Sequence, residues 1–352
     1  MSPTRPIEVA SQTATLLTGM LEIESLSHQE SRLAEWLGAQ LEGLGFQAEI
    51  DEVGNLIASR GEGPTEIMLV GHMDTVAGHI PVRLEEGRLY GRGAVDAKGP
   101  LAAAMVAASL VNSDRARIRL VAVVAEEAES IGARHLAQLQ APDALVILEP
   151  SGWDAITIGY KGTLRLRLER SQAVEHGASP HPTAADHLIG AIRQLQDHAN
   201  QLNGDKSAFE RLDVKVFAFR SEHDGLLEHA HCDIGLRLPP DYSGLQLTSY
   251  MQGRWSECQA RIGSPTPAVR TPKGSRTSRA FIQAIRAVGG TPRFKLKTGT
   301  SDMNLLVPAW GCPTIAYGPG DSSLDHTPEE SIGLDELALG TEVLHEALVQ
   351  LC

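Results

Sequence analysis

The chain has 352 residues, 42% hydrophobic and 21% charged, ordinary values for a globular protein with a sizeable core and a length that suits two domains better than one. A formal net charge of −13 and a pI near 5.5 argue against general nucleic-acid binding, which needs a basic surface. No apolar run reaches the length of a membrane span, "MSPTRPIEVASQ" lacks the features of a secretory leader, and Cys232, Cys258, Cys312 and Cys352 are too scattered for a disulfide framework, so a reduced cytoplasm is the expected setting.

In chain order, "TATLLTGMLEI" and "SRLAEWLGAQLEGLG" have the spacing of amphipathic helices. Short apolar runs follow, "EIMLVGH", "IRLVAVVAEE" and "DALVILEP", separated by helical stretches "GPLAAAMVAASLV" and "SIGARHLAQL". This alternation predicts an α/β fold with a mainly parallel sheet covered on both faces. From about Thr163 the texture changes. "TLRLRLER" and "RLDVKVFAFRSE" alternate strictly, so one sheet face is wet, and the helix "PTAADHLIGAIRQLQDHANQL" separates them. A strand "AHCDIGLRLPP" and a helix "SGLQLTSYMQGRW" come next. The buried style returns in "CPTIAYG", and "LDELALGTEVLHEALVQL" closes the chain as a helix. The expected organisation is a discontinuous domain, 1–162 with 271–352, interrupted by an α+β lid domain at 163–270.

Four apolar runs stop just before a group that can bind metal. "IMLVGHMDTV" supplies His72 and Asp74, "LYGRGAVDAKG" Asp96, "VAVVAEE" Glu126 and Glu127, and "ALVILEP" Glu149; "DHTPEE" adds His326 before the last helix. The carboxyl ends of strands in an open α/β sheet line one crevice, so these residues can converge. Carboxylates gathered there would repel and raise one another's pKa, a conflict that a divalent cation removes. Histidine with carboxylate is an ordinary zinc set, and five ligands with one bridging carboxylate can hold two ions roughly 3.5–4 Å apart. Of two adjacent glutamates, one can bind metal while the other takes a proton from the attacking water. Taken singly, His72 reads as a structural histidine, the glutamates as a solvated turn and Asp96 as a turn residue; the joint pattern favours metal. A phosphate cradle in "YGRGAVDAKG" is disfavoured because Asp96 stands at the third glycine position of G-x-G-x-x-G, and neither G-x-x-x-x-G-K-[ST] nor G-x-S-x-G occurs.

"GHMDTV", "GRGAVDAKG", "EEAESIGA", "EP" and "DHTPEE" resemble, in order and over almost the whole chain, the metal-site motifs of the M20 family of zinc aminoacylases and carboxypeptidases. "EPSGWDAITIGYKG", "KTGTSDMN" and "YGPGDSSLDHTPEE" are most similar to the lysine-biosynthesis branch, whose members release lysine, and sometimes ornithine, from an amino-group carrier protein and are also called acetyl-lysine deacetylases. The resemblance implies two zinc ions per subunit, with cobalt or manganese as conceivable substitutes. His72 and Glu149 would complete one site, Glu127 and His326 the other, and Asp96 would bridge. Glu126 would be the general base and acid, and Asp74 would orient His72. The peptide after Asp96 is cis in the family. The inserted domain, ferredoxin-like, would form a homodimer. In it, His176 of "EHGASP" would donate to the oxyanion in the partner's site, with His181 and His187 as nearby competitors, and Arg237 of "DIGLRLPP" would bind the substrate carboxylate.

One stretch runs against the overall charge. From Thr266 to Ser301 there is no Asp or Glu, while Arg270, Lys273, Arg276, Arg279, Arg286, Arg293, Lys295 and Lys297 all lie there. A solvated face is the ordinary reading; a docking surface for the acidic carrier protein is the sharper one. The leading expectation is a zinc amidohydrolase that frees lysine or ornithine. The alternatives are an acetylornithine deacetylase, a succinyl-diaminopimelate desuccinylase or a dipeptidase of the same chemistry, and a binding protein that kept the fold and lost turnover.

Overall fold

The structure is a computed structural model that describes residues 4–352. The chain divides into two compact units: one holds the chain up to Gly159 with Thr271–Leu296 and Ser301–Cys352, the other Tyr160–Arg270 with Lys297–Thr300.

The larger unit is built on a twisted sheet. Its strands lie in the order Gln47–Ile50, Leu56–Arg60, Ala116–Val123, Thr65–His72, Ala144–Ile147, Thr314–Ala316 and Ala155–Tyr160. The four strands from Ala116–Val123 to Thr314–Ala316 pair in parallel, and the flanking pairs are antiparallel. The central strands are the all-apolar runs of the sequence, and Met68, Leu69, Val70, Val121, Leu145 and Val146 are wholly buried. Such runs suit strands with both faces covered. The helix Lys98–Ser109 is buried along nearly its whole length; its alanines and glycine let the sheet and the helices Thr4–Leu21 and Leu334–Leu351 approach closely. A small sheet of Ser331–Gly333, Arg88–Tyr90 and Arg83–Glu85 completes the unit.

The smaller unit runs strand Gly162–Ala173, helix Ala184–Asn203, strands Asp213–His223 and Leu227–Leu238, helix Gly244–Met251 and strand Gln259–Ile262. The sheet is antiparallel, with Leu227–Leu238 and Gly162–Ala173 in the middle and Asp213–His223 and Gln259–Ile262 at the edges, the ferredoxin-like order. The strict alternation of "TLRLRLER" is explained directly: Leu164, Leu166 and Leu168 face the core under the helices, and Arg165 and Arg167 face the other way. Among the described residues, no helix is long and apolar enough to cross a membrane.

Candidate metal centre

Strand register brings the ligand-type residues together in the larger unit. His72, the last residue of its strand, lies opposite Val123, and Val70 lies opposite Ile147. Glu126 and Glu127 therefore leave one neighbouring strand, and Glu149 the other, at the same edge of the sheet. Asp96 is delivered by the turn before the helix Lys98–Ser109, with a cis Asp96–Ala97 peptide, and His326 by the loop after Thr314–Ala316. Ala125 and His326 adopt φ of 56° and 61°, the left-handed region that side chains rarely occupy; such strain concentrates at functional sites.

Asp96 lies between the two histidines. Its Oδ1 is 3.1 Å from Nε2 of His72 and its Oδ2 is 3.2 Å from Nε2 of His326, whose Nε2 is also 2.7 Å from Oε1 of Glu127. His72, Asp96 and Glu127 each offer a ligand atom within 4.8 Å of the others. Two histidines, each facing one oxygen of a shared carboxylate, with further carboxylates beside them, are a donor set that fits zinc and an arrangement that fits a bridge. Glu149 is 7% exposed and close enough to Glu126 to raise its pKa.

Charges in the centre are strongly coupled. Burial pushes His72 toward neutrality, but the nearby carboxylates of Asp74 and Asp96 and the charge of Glu126 outweigh it and raise its pKa well above normal. Asp96 is lowered despite its burial, by the hydrogen bonds and charges of His326 and His72. Hydrogen bonds to Asp96 and Glu127 raise His326 to about 10. Glu126 is raised well above the usual carboxylate range, chiefly by burial; His72 opposes the rise, and Asp302, Glu149 and Glu127 add to it. A carboxylate whose pKa is raised toward the working pH suits a general base that must also return its proton.

The expected task of Asp74 is to orient His72. The His72 ring meets the Asp74 carbonyl at 2.9 Å through Nδ1, whereas the Asp74 carboxylate lies 3.5 Å away. That carboxylate instead accepts the backbone N–H of Glu126 at 3.0 Å, the N–H of Glu127 at 3.1 Å and the Ser27 hydroxyl at 2.8 Å. It thus fixes the turn that carries both glutamates. Residues outside the sequence-derived set join in. Glu30, 4% exposed, accepts the N–H of the strained Ala125 at 2.9 Å. Asp302, 2% exposed, is lifted to about 7 by burial. Glu30 had one sequence signal, an acid just before a helix start; Asp302 in "KTGTSDMN" had none beyond the resemblance.

His176 and Arg237 belong to the smaller unit. His176 is exposed, and its Nδ1 accepts the Ala178 N–H at 3.1 Å. His181 is exposed and 2.9 Å from Glu175, and Thr183 with Asp186 forms a capping box for the helix that contains His187. Arg237 is half-buried, donates to Thr300 Oγ1 at 3.3 Å, and has its pKa lowered by burial and by Arg165.

Residues 68–350 match the sequence profile of peptidase family M20/M25/M40. The chain belongs to that family. It is accordingly a metal-dependent hydrolase, with a divalent metal, typically zinc. Among relatives of this M20 protein, the LysW-lysine hydrolase of Deinococcus radiodurans is 40% identical, the match covering all of this chain and 99% of that one. The LysW-lysine/LysW-ornithine hydrolase of Saccharolobus solfataricus is 30% identical over 97% of both chains. The fold is shared with the M20 family metallo-carboxypeptidase Sso-CP2 of Sulfolobus solfataricus, at a TM-score of 0.80 and 18% identity, covering 97% of this chain and 99% of that one.

Proposed function

We propose that this M20 protein is a dinuclear zinc amidohydrolase that releases lysine, and also ornithine, from the amino-group carrier protein LysW. The observation that carries the chemistry is Asp96, with one oxygen toward His72 and the other toward His326, beside the buried Glu126. The substrate reading is supported by end-to-end similarity to hydrolases named for LysW-lysine. His72 and Glu149 would hold one ion, Glu127 and His326 the other, and Asp96 would bridge.

When bound, the metal supplies a lowered water pKa and a polarised amide carbonyl. Glu126 accepts a proton from water at its carboxylate as the oxygen adds to the carbonyl carbon. The carbon–nitrogen bond then breaks, and Glu126 gives that proton to the leaving nitrogen, freeing the α-amine. Asp74 and Glu30 keep Glu126 in place through the backbone. His176 is the proposed oxyanion donor and Arg237 the proposed carboxylate-binding group.

The acid-free tract supports carrier docking more narrowly than its composition does. Arg293 is engaged by Asp154 at 2.5 Å, and Arg276 donates to the Leu351 carbonyl. Lys273, Arg279 and Arg286 are exposed and free of carboxylate partners among the described residues, so they form the proposed docking set. A homodimer is part of the same reading: the edge strand Asp213–His223 exposes Val216, Phe217 and Phe219, side chains that a second copy would cover.

The test compares carrier-linked lysine and ornithine with free acetyl-lysine, acetylornithine and succinyl-diaminopimelate. The highest kcat/KM is expected on carrier-linked lysine. A preference for free acetylornithine or succinyl-diaminopimelate would overturn the substrate assignment and leave the hydrolase in place.

A further inference from the structure

Glu330 ends the "DHTPEE" segment, four residues after His326, and the reaction above gives it no part. Its side chain is 1% exposed. Oε1 accepts the backbone N–H groups of Val95 and Asp96, each at 3.0 Å. Oε2 accepts the Gly93 N–H at 3.1 Å and Nη1 of Arg92 at 2.8 Å. Four donors from one turn, Arg92 to Asp96, therefore converge on a single anion. Arg92 Nη1 also donates to the carbonyl of Thr327, the residue after His326, at 3.2 Å. A carboxylate has about four acceptor positions, and here all four are filled. Full satisfaction matters, because a buried charge is costly unless it is paired and hydrogen-bonded.

The two segments do not need this side chain to meet. Ser331–Gly333 already pairs antiparallel with Arg88–Tyr90, and the Gly91 N–H reaches the Glu330 carbonyl at 3.3 Å. What the carboxylate adds is the path of the chain after that ladder. Gly93 has φ of 89°, and a Cβ there would lie 2.8 Å from Thr75 Cγ2 and 3.0 Å from Lys98 Cδ, so the turn is seated tightly. Its last donor is the N–H of Asp96 itself.

We propose that Glu330 is a positioning residue of the metal centre. It fixes the main chain of Asp96 and ties that turn to the segment carrying His326, so both side chains are aimed at a common point before any metal arrives. The inference rests on the reading of Asp96 and His326 as ligands. Supporting groups of this kind affect metal affinity by about 10- to 100-fold.

The experiment titrates the metal-free full-length protein with zinc, and with cobalt for its visible spectrum. In Glu330→Gln one oxygen becomes an NH2 group facing donors. The variant is expected to bind metal about 10- to 100-fold more weakly, with a changed cobalt spectrum. Glu330→Asp keeps the charge and should recover part of the loss. Arg92→Met removes the ion pair but leaves three N–H groups on the carboxylate, and should lose distinctly less. Equal losses in Glu330→Gln and Arg92→Met, or wild-type affinity in Glu330→Gln, would overturn the proposal. Amide hydrogen exchange on the metal-free wild type reads the same point without a variant. Protection of Gly93, Val95 and Asp96 is expected, and fast exchange that slows only on adding metal would also overturn it. An Asp96→Ala protein that keeps its full metal content would count against the ligand reading itself.

Discussion

At the scale of single residues, the adjacent glutamates have different surroundings: Glu127 meets His326 at 2.7 Å, while Glu126 has a raised pKa beside Asp302 and Glu149. Glu126→Gln is therefore expected to retain metal and lose turnover by about 10²–10⁴-fold; near-normal kcat in that variant would remove Glu126 from the role. His176→Ala should lower kcat at unchanged zinc content, and a loss of zinc would mean that the histidine serves the metal instead. His326 yields a pH prediction. In the metal-free protein it is raised from 6.5 to about 10, so the stability it contributes is fully present below pH 6.5 and lost as pH rises through about 10. A metal takes that nitrogen only without its proton. Zinc binding at pH 8 should thus release protons, visible as a buffer-dependent heat in calorimetry, and affinity should climb from pH 7 to 9. A heat independent of buffer would contradict the protonated His326.

At the scale of elements, the centre depends on how strands end. After Val123 the chain must turn sharply, and Asn55 secures the turn: Oδ1 accepts the Val124 N–H at 3.1 Å, and Nδ2 donates to the Gly132 carbonyl at 3.2 Å. A Cβ on Gly132 would lie 2.3 Å from that Oδ1 and 2.7 Å from the Val124 nitrogen. Gly132→Ala is expected to cost about 1–3 kcal/mol of stability by overpacking and to lower kcat by displacing Glu126. Chemical denaturation with zinc analysis checks both, and a fully stable, fully active variant would show that the turn can shift without consequence. The helix Arg276–Ala287 runs through the acid-free tract. Thr277, Ser278, Ala280, Phe281, Ala284 and Ile285 face inward, and Arg279 and Arg286 face solvent.

At the scale of the whole molecule, charge is distributed against the average. A chain of net −13 that keeps Lys273, Arg279 and Arg286 exposed and, among the described residues, without carboxylate partners suits electrostatic steering of an acidic partner. Reversing these three charges should lower kcat/KM on the carrier-linked substrate by about tenfold or more at low salt and leave free acetyl-lysine untouched; equal loss on both substrates would argue against docking. The sequence by itself determined the covered parallel strands and the one-sided sheet of the smaller unit, because burial on two faces and burial on one face each leave a local pattern; the ligand-type residues it singled out are the ones proposed to hold the metal. It assigned no role to Glu30, Asp302 or Glu330, and the bonds of the Asp74 carboxylate to the Glu126 and Glu127 amides were not legible in it. Those roles belong to the tertiary structure. A buried acid that accepts backbone N–H groups from a segment as much as 237 residues away has no periodicity and no fixed spacing, so only the closed fold decides which donors it meets.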